Sequence, residues 1–137
     1  MGVENISLKL FGIDYATNSV TALRHQERAF RRARQSIRIV ETRAPEVAGL
    51  EEAVKRGCPV EVVVGPRLDA WSLRSLTRLG ATVYELEEPP TQRFTVIDEK
   101  HLIGHSRTEQ YIVRNFNHTP EYLDLFDALK GRARAVF

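Results

Sequence analysis

The apolar and polar positions divide the first two thirds of the chain into strands and helices that alternate. The strands are short β-branched runs, and the helices carry apolar residues at spacings of three and four. The predicted strands cover 6–12, 37–42, 60–64 and 82–86, and the predicted helices cover 21–36, 45–57 and 69–80. Short connections between such elements favour right-handed crossovers and a largely parallel sheet.

The pattern changes in the last third, where a proline-broken loop at 87–91 leads into antiparallel elements. The segments 93–97 and 101–104 flank a polar turn and predict a hairpin, and 111–115 predicts a further strand. A final helix is predicted from Thr119 to Gly131, followed by a tail that we expect to fray. The expected fold is one α/β domain over 1–137. Its sheet is mixed, mainly parallel with an antiparallel C-terminal hairpin extension, and helices cover both faces.

Several positions predict how these elements are placed. The continuous β-branched run at 60–64 is typical of a strand buried on both faces, so it should lie mid-sheet. Asp69 is expected to cap the third helix and Gly80 to end it. Trp71 is expected to join the leucines of that helix in the core.

Composition limits the class of protein. At 137 residues with 42% apolar and 28% charged positions, the chain suits one globular domain. The single Cys58 cannot form an internal disulfide or build a cysteine-based zinc site. No window approaches the ~18 apolar residues of a membrane span, and no secretory leader is evident. We therefore expect a cytoplasmic protein.

The charge is nearly balanced, but the basic residues are mostly arginine. Of 20 Lys plus Arg, only four are lysines, so 20 − 4 leaves 16 arginines. A guanidinium binds phosphate or carboxylate with two parallel hydrogen bonds, although genomic base composition or a hot habitat produces the same bias.

The segment RFTVIDEKHLIGHS resembles one half of a phospholipase D-like domain, whose signature is His-x-Lys-x-x-x-x-Asp. The order of elements over about residues 20–131 is similar to that family too. Thr91 falls at the family His, Arg93 at the Lys, Asp98 at the Asp, His105 at a following Gly, Ser106 at the Ser and Thr108 at the Asn.

The resemblance implies a module without catalysis, because the family His is the nucleophile and a threonine hydroxyl needs an adjacent base. Arg93 could still bind an anion, with Ser106 and Thr108 as further donors. The alternative for Arg93 is an ion pair with Asp98 or Glu88. A similar silent arrangement occurs in the effector domain of TrmB-type archaeal regulators.

The leading hypothesis is therefore an inactive, regulatory module that binds an anionic effector or a protein partner. The anion contacts would be Thr91, Arg93, Asp98, Ser106 and Thr108. Because the family builds its site from two halves, the resemblance also implies a homodimer.

The main alternative is sequence-independent nucleic-acid binding by the arginine-rich segment 24–38. The candidate contacts are Arg24, Arg28, Arg31 and Arg32. Glu27 and Glu41 dilute this charge, and Phe30, on the apolar side, offers no stacking platform. The alternative interpretation of these arginines is a solvent-exposed helix face with no ligand.

Enzymatic and metal chemistry have weaker support. A residual phosphodiesterase would need Arg93, with His105 as a substitute nucleophile. A nuclease would use the run 98–100 with Asp69 as a distant acid, although a hairpin turn and a helix cap explain those residues. The four histidines, His25, His101, His105 and His118, show no metal-ligand spacing, so we expect no metal and no cofactor.

Overall fold

A computed structural model describes residues 13–16, 19–105, 110–113 and 119–136, which form one sheet with four helices. Strands β1 to β8 span Ile13–Ala16, Ile37–Glu41, Val60–Val64, Thr82–Glu85, Arg93–Ile97, His101–His105, Gln110–Val113 and Arg134–Val136. Helices α1 to α4 span Ser19–Arg32, Leu50–Lys55, Ala70–Leu79 and Thr119–Arg132. The first predicted strand, 6–12, lies outside the described residues.

The strand order in the sheet is β1-β7-β6-β5-β2-β3-β4-β8. The mixed α/β class is confirmed: β2, β3 and β4 are parallel, and their other neighbours pair antiparallel. The antiparallel part extends beyond the predicted hairpin. A proline-broken loop rather than a helix joins β4 to β5, so β5 lies antiparallel against the far side of β2. Strand β1 lies at the far edge beside β7.

The C-terminal tail forms a strand at Arg134–Val136, where the sequence predicted fraying. Arg134–Val136 forms β8 and pairs antiparallel with β4, with Val83 opposite Val136. Nη2 of Arg134 also donates to Oε1 of Glu85 at 2.8 Å. Strand β4 would otherwise present unpaired backbone groups at the sheet edge, and β8 satisfies them.

The sheet has an apolar core on each face. Helices α1, α2 and α3 cover one face through residues such as Phe30, Leu50 and Leu76, while α4 covers the other through Phe126 and Leu129. Strand β3 is interior, as predicted: Val60, Val62 and Val64 enter the first core, and Val63 enters the second. Among the described helices, none is long and apolar enough to cross a bilayer.

One predicted core assignment and one predicted helix start are wrong. Trp71 is 71% exposed, because the buried side of α3 runs through Leu76. Trp71 precedes Leu76 by five residues, which places it about 140° around the helix. Helix α2 begins at Leu50 instead of Pro45, and Val47 is 45% exposed.

The predicted ends of α3 are confirmed. The carboxylate of Asp69 accepts hydrogen bonds from the backbone N–H of Ser72 at 3.2 Å and from its hydroxyl at 2.7 Å. The hydroxyl, and then the backbone N–H, of Ser72 lower the pKa of Asp69. Gly80 ends the helix with φ 111°, in the left-handed region that glycine tolerates.

We predict that Gly80→Ala destabilises the fold by about 3 kcal/mol, from left-handed strain and crowding. An added Cβ would lie 2.5 Å from Cγ1 of Val54. The measurement is urea unfolding. Gly131→Ala is the matched control, since its Cβ meets nothing within 4 Å and alanine favours α4 by up to about 1 kcal/mol. A Gly80→Ala protein within about 0.5 kcal/mol of wild type would contradict the prediction.

Candidate functional site

The two charged motif residues lie at opposite ends of β5. Arg93 is the first residue of the strand, and Asp98 directly follows its last residue. An extended strand of this length separates them by about 16 Å, so they do not meet. The predicted contacts Ser106 and Thr108 lie outside the described residues.

Arg93 forms a two-pronged ion pair with Glu41, the last residue of β2. Its Nε donates to Oε1, and its Nη2 donates to Oε2 at 3.2 Å. The Glu41 side chain is only 8% exposed and that of Arg93 is 21% exposed. Arg93 therefore forms an ion pair, as the alternative prediction stated, but its partner is Glu41 and not Asp98 or Glu88.

The expectation that Glu41 dilutes the positive charge of α1 was wrong, because Glu41 belongs to the sheet.

The Glu41–Arg93 pair lines a cleft of about 370 Å³ between α1, β2 and β5, which we call the central cleft. Its charged lining is balanced, with Arg43 and Arg93 against Glu41 and Glu46. Gln26 also lines it, is 5% exposed, and its Oε1 accepts no hydrogen bond within the described part of the chain. Such a lining suits a neutral group that donates a hydrogen bond better than it suits an anion.

Thr91 lies in a different place. It is exposed and lines a cleft of about 290 Å³ between the loop 86–92 and α4. Arg93 does not line that cleft, and Thr91 does not line the central cleft. The positions that match the family His and Lys therefore face separate clefts.

Asp98 has a structural role. Its Oδ1 accepts hydrogen bonds from the backbone N–H groups of Arg34, Gln35 and Ser36 at 3.0, 2.7 and 3.3 Å. Its own N–H donates to the carbonyl of Ser36 at 2.8 Å. The carboxylate thus ties the hairpin turn to the connection between α1 and β2.

The structure does not assemble the predicted nuclease acids. Glu99 contacts Arg38 at 3.4 Å, whereas Asp69 caps α3. Within the described ranges, no group of three His, Cys, Asp or Glu side chains comes together as a metal site. The side chains of His105 and His118 lie outside those described.

Cys58 is buried, and its environment disfavours the thiolate. Burial raises the pKa of the Cys58 thiol, and the negative charge of Asp98 raises it further, against a smaller lowering by Arg56. The neutral thiol is a poor nucleophile.

The predicted arginines of α1 fall into two groups. Arg31 pairs with Glu27 at 2.7 Å and lies 3.8 Å from Glu52. Arg24, Arg28 and Arg32 recur every four residues, are exposed, and have no carboxylate partner in the parts of the chain that the structure describes. We call these three the arginine stripe.

The arginine stripe borders a third cleft of about 330 Å³, between α1 and the β5–β6 turn, which we call the histidine cleft. Its lining comprises His25, Arg28, Ala29, Arg32, Ile97, Asp98, His101 and Ile103. His25 and His101 are 76 positions apart, and no local pattern in the sequence links them. Only the packing of α1 against the hairpin brings them to one cleft.

Comparison with family models and with curated protein sequences gave no match. Solved structures do match. The chain is similar to TrmBL2, an archaeal chromatin protein with a novel mode of DNA binding, at TM-score 0.75 and 13% identity. That match covers 91% of this chain and 53% of TrmBL2. It is also similar to Nuc, a phospholipase D family member from Salmonella typhimurium, at TM-score 0.71 and 14% identity. That match covers 90% of this chain and 95% of Nuc.

A third similar structure is NucT from Helicobacter pylori, at TM-score 0.74 and 11% identity, covering 90% of this chain and 98% of that one. The chain thus spans about half of TrmBL2 and nearly all of Nuc and NucT. The predicted class of fold is confirmed: this is a phospholipase D-like α/β fold.

We predict that Arg93→Ala lowers the free energy of unfolding by about 2–3 kcal/mol, because it leaves the buried Glu41 carboxylate unpaired. Replacing both partners, as Glu41→Leu with Arg93→Met, should restore most of the loss. Urea unfolding of wild type, Glu41→Leu, Arg93→Met and the double variant measures the coupling. Arg134→Ala removes an ion pair whose arginine is 80% exposed and should cost at most about 1 kcal/mol. Additive effects of Glu41→Leu and Arg93→Met on the free energy of unfolding would contradict the prediction.

Proposed function

We propose that this protein is a non-catalytic phospholipase D-like module that binds the phosphate backbone of nucleic acid through the arginine stripe of α1. One observation carries the proposal: Arg24, Arg28 and Arg32 are exposed without a carboxylate partner in the described residues, whereas Arg31 and Arg93 are engaged by glutamates. Free guanidinium groups on one helix face are what phosphate contacts require.

The spacing of the stripe fits a polyanion. From Arg24 to Arg32 the helix rises about 12 Å, which is enough for the three side chains to reach successive phosphates of one strand. The exposed Arg34 extends the positive surface beyond the end of α1. No aromatic side chain belongs to the stripe, so binding should depend on charge and not on base sequence.

Glu41 argues against the anionic effector predicted at Arg93. An anion at that guanidinium would have to replace a carboxylate that already makes both hydrogen bonds, and the freed carboxylate would remain buried beside it. The arginine stripe carries no such penalty. We therefore favour nucleic acid over a small anion in the central cleft.

The separation of Thr91 from Arg93 supports the absence of catalysis. A phosphoryl-transfer site needs its nucleophile and its phosphate-binding cation around one phosphorus atom. Here the two positions line different clefts. The DNA-binding description of TrmBL2 supports the proposal only through the shared fold. The homodimer stays a prediction.

We predict that Arg28→Ala with Arg32→Ala weakens binding of a fluorescent single-stranded oligonucleotide and lowers the slope of log affinity against log salt by about 1.4, or 0.7 per lost phosphate contact. Fluorescence anisotropy over a salt series measures both quantities. The matched control is Arg74→Ala with Arg78→Ala, which removes two exposed arginines from α3 and leaves the stripe intact.

Equal losses in the stripe variant and the α3 variant would show that net charge alone drives binding and would overturn the proposed surface. Affinity that does not fall with salt would overturn the phosphate-backbone interaction itself.

We also predict that neither the wild-type protein nor Thr91→His hydrolyses a chromogenic phosphodiester. The substituted imidazole would lie in the loop cleft, apart from Arg93. Arg93→Ala sets the background rate. Turnover by wild type that Arg93→Ala abolishes would contradict the non-catalytic proposal.

A further inference from the structure

We infer that the histidine cleft binds a phosphomonoester, so that the protein prefers nucleic acid with a phosphorylated end over the same strand with hydroxyl ends. The inference rests on the proposed function for its nucleic-acid ligand. The proposed binding of a phosphate is supported separately, by the side chains that line the cleft.

The cleft gathers four nitrogen-bearing side chains over an apolar floor. Arg28 and Arg32 lie one turn apart on α1, His25 belongs to the same helix, and His101 begins β6 on the other side. Ile97 and Ile103 supply apolar lining. The arginines and histidines could bind a phosphate, and the two isoleucines could contact the adjoining sugar or base.

Among the described residues that line this cleft, Asp98 is the one acid, and its carboxylate already accepts hydrogen bonds. Its Oδ1 accepts three backbone N–H groups from residues 34–36. Those donors partly offset the carboxylate, as the N–H groups of an anion-binding nest do. The cleft therefore remains cationic, whereas the lining of the central cleft is balanced.

The concave shape favours a chain end over a chain interior. A phosphodiester inside a strand must have its chain leave on both sides, whereas a terminal phosphate enters a cleft from one side. A phosphomonoester also carries a charge of about −1.5 to −2 near neutral pH, whereas a phosphodiester carries a charge of about −1. Two guanidinium groups one turn apart can share its oxygens.

The test compares oligonucleotides of one sequence with a 5′-phosphate, a 3′-phosphate or hydroxyls at both ends, by fluorescence anisotropy at fixed salt. We expect at least one phosphorylated end to bind about tenfold more tightly. His101→Ala should abolish this preference and leave binding of the hydroxyl-ended strand unchanged, because the arginine stripe remains. Arg24→Ala is the matched control: it should weaken all three strands equally and keep their ratio.

A second arm titrates adenosine monophosphate and inorganic phosphate into wild type and His101→Ala by calorimetry, to separate a free phosphate ligand from a nucleic-acid end. Equal binding of the three strands, with no mononucleotide binding, would overturn the phosphomonoester site and leave the proposed function standing. Mononucleotide binding that requires His101, with no oligonucleotide binding, would support the site and overturn the proposed function.

Discussion

The sheet is organised around the antiparallel pairing of β5 with β2. That pairing joins the parallel strands to the antiparallel ones, and polar contacts hold it at both ends. At one end Arg93 pairs with the buried Glu41, and at the other the Asp98 carboxylate accepts three backbone N–H groups. Losing either contact would leave a poorly solvated charge or unpaired backbone donors at this junction.

This pairing also accounts for the contacts that the two charged motif residues make. A cation in the family signature has to be free to meet its substrate, but Arg93 is engaged by a carboxylate from the neighbouring strand. The acid of the motif, Asp98, is engaged by backbone. Both residues stabilise the sheet, and Thr91 lies in a separate cleft. The exposed arginines of α1 that have no carboxylate partner among the described residues are Arg24, Arg28 and Arg32.

Two neighbouring clefts on the α1 side of the sheet consequently differ in chemistry. The central cleft has balanced charge and an acceptor on Gln26 that has no donor within the described ranges, whereas the histidine cleft combines arginines and histidines with apolar residues. Helix α1 contributes to both linings, with Gln26 in one and Arg28 in the other. Helix α1 thus separates a cleft with balanced charge from one whose lining has more basic than acidic side chains.

Periodicity, β-branched runs and capping residues act locally, so the sequence predicted the order of the elements from α1 to α4, the class of fold, the mid-sheet place of β3 and the caps of α3. It also singled out the arginines of α1. The sequence did not predict that Glu41 engages Arg93, that His25 and His101 share a cleft, that Trp71 is exposed or that the tail forms β8. Each of these depends on contacts between distant segments, and no local pattern encodes which strand edge or which carboxylate a residue will meet.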